Sequence, residues 1–202
     1  MDHRWLLVNT VLAWIPVVLA TVLFTVRRDA RRRPAWWVGV VVFVLFLPNA
    51  PYVVTDLVHL RDDVSAADGP VVTRVLPVYA AFIASGFLAY YLSVLQVRRY
   101  LVRHGQAARV SSVVLGLHLL VAVGVFLGRW TRLNSWEPVV HPRDAFERML
   151  LALTWADAPA LLAATFVVTA LGHFVTRAVV ETAWAELLPR RTRPSERRAR
   201  YS

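Results

Sequence analysis

Long apolar runs alternate with short polar breaks along this chain, and five of the runs reach the length an α-helix needs to cross a hydrocarbon core about 30 Å thick. They fall near Trp5 to Val26, Ala35 to Thr55, Val72 to Val97, Val110 to Gly128 and Ala158 to Val180. The pattern predicts an all-α, polytopic transmembrane helical bundle of five spans. With connections this short, residues 1–188 are expected to form a single domain, followed by a basic, disordered tail over residues 189–202.

Prolines and glycines punctuate the runs. Pro16 lies inside the first span, and Pro48 and Pro51 break the second, each removing a backbone donor that a neighbour must replace. Ser85-Gly86 in the third span and Gly124 with Gly128 in the fourth are small residues that admit a close helix. From Arg143 to Trp155 charge alternates with Ala, Phe, Met and Leu at helical spacing, which fits an interfacial helix ahead of Asp157-Ala158-Pro159 or an extension of the last span, and the sequence leaves the two open. Asp157 is expected to cap the start of the last span.

Composition agrees with a membrane protein: 57% of the 202 residues are hydrophobic and only 18% charged. A net charge of +10 points toward nucleic acid in a soluble protein, but here the positions of the arginines account for it. Fifteen of the 23 lie after the first span (Arg27, Arg28, Arg31, Arg32, Arg33), after the third (Arg98, Arg99, Arg103, Arg109) and between Arg190 and Arg200. By the positive-inside rule the amino terminus is outside and the carboxyl terminus cytoplasmic. The acidic segment with Asp56, Asp62, Asp63 and Asp68 then falls outside, where Trp5, Trp130, Trp136 and Trp155 mark the interface. The expected partner is the lipid bilayer, with no nucleic acid. A first span too long for a signal-peptide core, followed by five arginines, reads as a retained anchor. The chain has no cysteine, and all its basic residues are arginine, which fits the inner membrane of a bacterium with a GC-rich genome.

Two polar constellations carry the candidate chemistry. The first runs from Phe46 to Leu60. Asn49, Tyr52, Asp56 and His59 are spaced three, four and three apart, so they share one face if the helix survives its prolines. The prolines free upstream carbonyls, which either bond to Asn49 or line a cavity. The second runs from Gly128 to Glu137 at the same depth and offers Arg129, Arg132, Asn134, Trp136 and Glu137. Arginine suits two-point recognition of carboxylate or phosphate, and Arg129 or Arg132 could equally bridge to Asp56. Asp56, His59 and Glu137 include ligand types for a divalent cation, but Asp-x-x-His is a weak signal and no cofactor is expected. His118 is read as a packed histidine bonded to a carbonyl, and His173, Arg177 and Glu181 as a local group.

These motifs resemble a bacterial integral-membrane family known as domain of unknown function 1361. The resemblance rests on Asn9 with Leu12-Ala13-Trp14-Ile15-Pro16, on Leu47-Pro48-Asn49-Ala50-Pro51-Tyr52 through Thr55-Asp56-Leu57-Val58-His59-Leu60, and on Leu127-Gly128-Arg129 through Arg132 and Asn134-Ser135-Trp136. It implies the helical fold and the importance of both motifs, but brings no activity. This chain has Glu137 where the family shows Asp, and Thr131-Arg132-Leu133 where an aromatic usually follows the first arginine.

Three functions compete, and the sequence does not say whether the chain is an enzyme. The motifs form an outward-facing pocket for an anionic or lipid-linked ligand, or an interhelical lock in a non-catalytic scaffold, or the unwound site of a small transporter. The transporter lacks a polar stripe through the cytoplasmic half. Substrate and oligomeric state are left open. The topology has a direct test: a periplasmic reporter fused after Ser202 is expected to be inactive, and an active fusion would overturn the five-span orientation.

Overall fold

The computed structural model describes residues 4–26, 33–56, 69–131 and 137–187, and every regular element among them is helical. The expected tail at 189–202 lies outside the described residues. Helix α1 (Arg4–Ala20) continues into a π-helical turn, Thr21–Val26. It is followed by α2 (Pro34–Phe46), the single turn α3 (Asn49–Tyr52) with a 3-10 turn Val53–Asp56, and α4 (Gly69–Arg103). Next come α5 (Val110–Phe126) with a π turn Leu127–Thr131, α6 (Glu137–Val140), α7 (Pro142–Leu153) and α8 (Ala158–Leu187).

Among the described residues, five stretches are long and apolar enough to cross a membrane: Leu6–Val26, Pro34–Thr55, Val75–Arg103, Ala107–Trp130 and Ala158–Leu187. They match the predicted spans, except that the third and fifth run further, because Arg98, Arg99 and Arg103 in one and Glu181 and Glu186 in the other stay in the helical ladder. Arginine tolerates this by burying its stem and extending its charged head.

Helix α4 is the hub. Half of its span is buried against 17% of the fifth, and α1, α3, α5 and α8 all pack on α4. Three glycine contacts set the spacing. A Cβ at Gly86 of α4 would meet Val53 and the backbone carbonyl of Ala50, one at Gly124 of α5 would meet Pro48, and one at Gly172 of α8 would meet the Phe87 ring. Small residues let helices approach this closely, and in lipid such packing contributes much of the association. Polar links reinforce it: Trp14 Nε1 of α1 donates to Ser85 Oγ of α4 at 3.0 Å.

The two ends of the bundle differ. At the arginine end, Trp36 Nε1 donates to the Leu23 carbonyl at 3.1 Å, answering one of the acceptors a helix terminus leaves open. Phe24, Trp36, Phe43 and Tyr100 pack around it, with Trp36 and Tyr100 stacked at 5.8 Å. The opposite end, called here the motif end, carries α3, the π turn Leu127–Thr131 and α7.

The candidate interfacial helix is α7. It is separate from α8, since the turn from Thr154 to Asp157 divides them. Ala145 and Ala152 face the protein, Phe146, Leu150 and Leu153 are exposed and apolar, and Arg143, Asp144 and Glu147 are exposed and polar. That three-way division suits a helix lying at a membrane surface. Asp157 stands before α8 as expected, its carbonyl accepting the first helical bond from Leu161 N at 2.9 Å.

The glycine contacts predict a clear contrast. Gly86→Ala is expected to cost about 1–3 kcal/mol through overpacking, read as a lower thermal unfolding midpoint in detergent. Gly116→Ala, where a Cβ meets nothing within 4 Å, should stay within about 0.5 kcal/mol of wild type. Equal midpoints for the two variants would mean that α3 does not press on α4.

Candidate functional site

The motif end is built from the break in the second span. Pro51 has no N–H to give to the Leu47 carbonyl, so Ala50 N bonds there instead, at 3.2 Å. Ala50 thereby leaves the Phe46 carbonyl, and Asn49 Nδ2 takes it at 3.0 Å. This is the first of the two expected answers, and it explains an amide next to two prolines. The chain then tightens into the 3-10 turn, where Thr55 Oγ1 donates to the Tyr52 carbonyl at 2.8 Å.

That tightening corrects one expectation. A 3-10 turn has three residues per turn and an α-helix 3.6, so the helical face shared by Asn49 and Tyr52 does not carry on in register to Asp56. The backbone stays in the right-handed helical region through Leu47, Pro48 and Val53, while the regular α ladder is interrupted at Leu47–Pro48 and tightens at Val53.

The second constellation approaches the first through Tyr52, whose hydroxyl points to the Gly128 carbonyl at 3.5 Å, at the long limit of a hydrogen bond. Gly124, one turn earlier, receives Pro48. Among the described residues the second and fourth spans come together here through Tyr52 and Gly128, and through Pro48 and Gly124. Past Phe126 the helix widens into the π turn Leu127–Thr131, a form often found at functional sites. Trp130 stacks on Phe126 at 5.4 Å. Arg129 is half-buried on this turn and has no hydrogen-bond or ion-pair partner among the described residues. Glu137 has a cation of its own: Arg148 Nη1 of α7 lies 3.3 Å from its carboxylate.

Asp56 is described for its backbone alone, and His59, Arg132, Asn134 and Trp136 lie outside the described residues. The considered cation triad therefore has only the Glu137 side chain within view. Among the described residues no group of three His, Cys, Asp or Glu side chains is placed to hold a metal.

With both motifs on one end of a five-span helical chain, the family pattern can be set against the fold. It matches residues 8–171. The chain belongs to the family described as protein of unknown function (DUF1361). The match takes in every element from α1 to the first half of α8, so the DUF1361 pattern covers the two motifs and the helices that hold them. No curated protein and no solved structure gives a match, so DUF1361 membership comes with no relative whose activity bears on the site.

A second polar cluster lies deeper, and sequence reasoning missed its extent. Tyr90 of α4 and His118 of α5 share a 2.6 Å hydrogen bond between the hydroxyl and Nδ1. His173 of α8 stacks edge-on to His118, ring centroids 4.9 Å apart, and lies 5.5 Å from Tyr90. The expected carbonyl partner of His118 is thus a phenol. His173 belongs here rather than with Arg177 and Glu181, which pair alone at 2.9 Å. His118 Nε2 and His173 Nδ1 have no hydrogen-bond partner among the described residues. The available signal was depth: Tyr90 stands eight residues before Arg98 and His118 nine after Arg109, each roughly 12–14 Å from the arginine end.

The Glu137 and Arg148 pair is testable by a double-mutant cycle with Glu137→Gln and Arg148→Gln. Their side chains are 20% and 53% exposed, so solvent screens the pair and the coupling should be about 0.2–1 kcal/mol. A coupling several times larger would mean that α7 is clamped to the bundle by this contact.

Proposed function

We propose that this chain is a multi-pass protein of a bacterial inner membrane whose motif end faces outward and binds an anionic group, such as the phosphate of a lipid-linked molecule. The observation that carries the reading is Arg129. It is half-buried on a π turn, next to the Tyr52 and Gly128 contact, and has no ion-pair partner among the described residues, where the Glu137 carboxylate has Arg148 within 3.3 Å. A cation partly held out of bulk water attracts an anion more strongly than a fully solvated one. The planar guanidinium suits the two-point geometry of phosphate or carboxylate. Asp56, His59, Arg132, Asn134, Trp136 and Glu137 complete the polar centre in this reading.

The exposed apolar face of α7 supports a ligand that arrives from the bilayer. Phe146, Leu150 and Leu153 place that helix at the surface next to the π turn, where a lipid headgroup would lie. This reading stops at binding and assigns no reaction.

One observation favours a second reading, a scaffold in which the same residues hold two spans together. Gly124 against Pro48 and Tyr52 against Gly128 are interhelical contacts that need no ligand. The two readings separate on Arg129→Gln. For a binding site, the variant keeps the wild-type unfolding midpoint and loses retention of a polyprenyl phosphate by about tenfold or more, as expected for a charge-assisted contact of about 1.5–3 kcal/mol. For a lock, the midpoint falls and retention is absent in wild type too. Asp56→Asn and Arg132→Gln extend the test, because recovery of stability in a charge-swapped pair would favour the lock.

A further inference from the structure

At the arginine end, a groove of about 290 Å³ runs between α1 and α4. Its residues come from two facing stripes at helical spacing. Val17, Thr21 and Thr25 lie four apart on α1, and Leu92, Leu95, Gln96, Arg99 and Arg103 follow one face of α4. Along the groove the chemistry is graded. Val17, Leu92 and Leu95 make an apolar floor, Thr21, Thr25 and Gln96 a polar middle, and Arg99 and Arg103 a cationic mouth.

The middle of the groove is structured. Thr25 Oγ1 donates to Gln96 Oε1 at 3.2 Å, and Gln96 Nε2 reaches the Val17 carbonyl at 3.4 Å. That carbonyl also accepts from Thr21 Oγ1 at 2.7 Å. Thr21 and Thr25 stand on the π turn of α1, which departs from the regular ladder beside the groove.

Arg99 and Arg103 are exposed, lie one turn apart and repel each other. Neither has a carboxylate partner among the described residues. From Leu92 to Arg103 the groove face extends roughly 16 Å along α4. We infer that this groove is a binding site for one glycerophospholipid with a net negative headgroup, its phosphate at Arg99 and Arg103 and an acyl chain along Leu92 and Leu95. A zwitterionic head fits less well, because its ammonium would sit beside two uncompensated guanidinium groups. The site lies at the other end of the bundle from Arg129 and stands independently of the proposed ligand there.

The experiment offers full-length protein an equimolar mixture of phosphatidylglycerol and phosphatidylcholine and counts the retained lipids by native mass spectrometry. Wild type is expected to keep one phosphatidylglycerol in preference. Arg99→Gln with Arg103→Gln should lower that preference roughly fivefold for each arginine. Leu92→Trp, which fills the apolar floor and leaves both charges, should lower retention as well. Arg109→Gln, at the same end but outside the groove, should behave as wild type. Excess inorganic phosphate should not displace the lipid. Equal retention of the two lipids by wild type overturns the inference, and so does an unchanged preference in either groove variant. Displacement by phosphate would reassign the mouth to a free anion.

Discussion

Inside a bilayer there is no water to take up a backbone carbonyl that has lost its donor, so every break in a helix must be answered by protein. The arrangement of this chain follows from how one such break is answered. Pro48 and Pro51 interrupt the second span, Ala50 shifts its bond to Leu47, and Asn49 covers Phe46. The repaired segment is irregular and needs close walls on two sides. Gly86 supplies one by receiving Val53 and Ala50, and Gly124 supplies the other by receiving Pro48. The prolines, the asparagine and the two glycines lie on three different spans, and their contacts draw α2, α4 and α5 together at the motif end.

Much of this was legible in the sequence because its causes are local. Span positions follow from apolar run length, and the break from proline chemistry. The role of Asn49 follows from a donor placed next to an acceptor the prolines expose. The reading failed where geometry depends on tertiary context. Nothing in Val53-Val54-Thr55-Asp56 announces a 3-10 turn, so the helical stripe from Asn49 to Asp56 was extended past the point where the ladder changes. His173 was grouped with Arg177 and Glu181 by its spacing of four. The neighbours that bury it, Tyr90 and His118, come from other spans and leave no mark in local periodicity.

The two polar regions differ in kind. The deep cluster joins three spans through a phenol and two imidazoles, with one short hydrogen bond and edge-on ring contacts. Such a hold suits helix α8, since most of its surface is exposed in the chain; Gly172 on Phe87, and Ala158, Leu161 and Leu162 beside Phe126 and Ala152, add to it. Buried aromatic and imidazole rings provide it without placing a carboxylate or guanidinium in the bundle core. The motif end, by contrast, has cationic and acidic residues on short turns at the end of the bundle, where charge is less costly than in the apolar middle of a span.

Arg129 owes its position to the change of ladder at Leu127. A π turn inserts one residue into the repeating bond pattern, so side chains beyond Phe126 rotate out of register with the face that buries Val121, Val125 and Phe126. In an uninterrupted helix Arg129 would stand one turn beyond Val125, on the buried face. Trp130 stacks on Phe126, and Arg129 is half-buried next to Gly128, whose carbonyl accepts from the Tyr52 hydroxyl. The turn that ends the fourth span therefore sets a cationic residue next to the carbonyl that meets the broken second span.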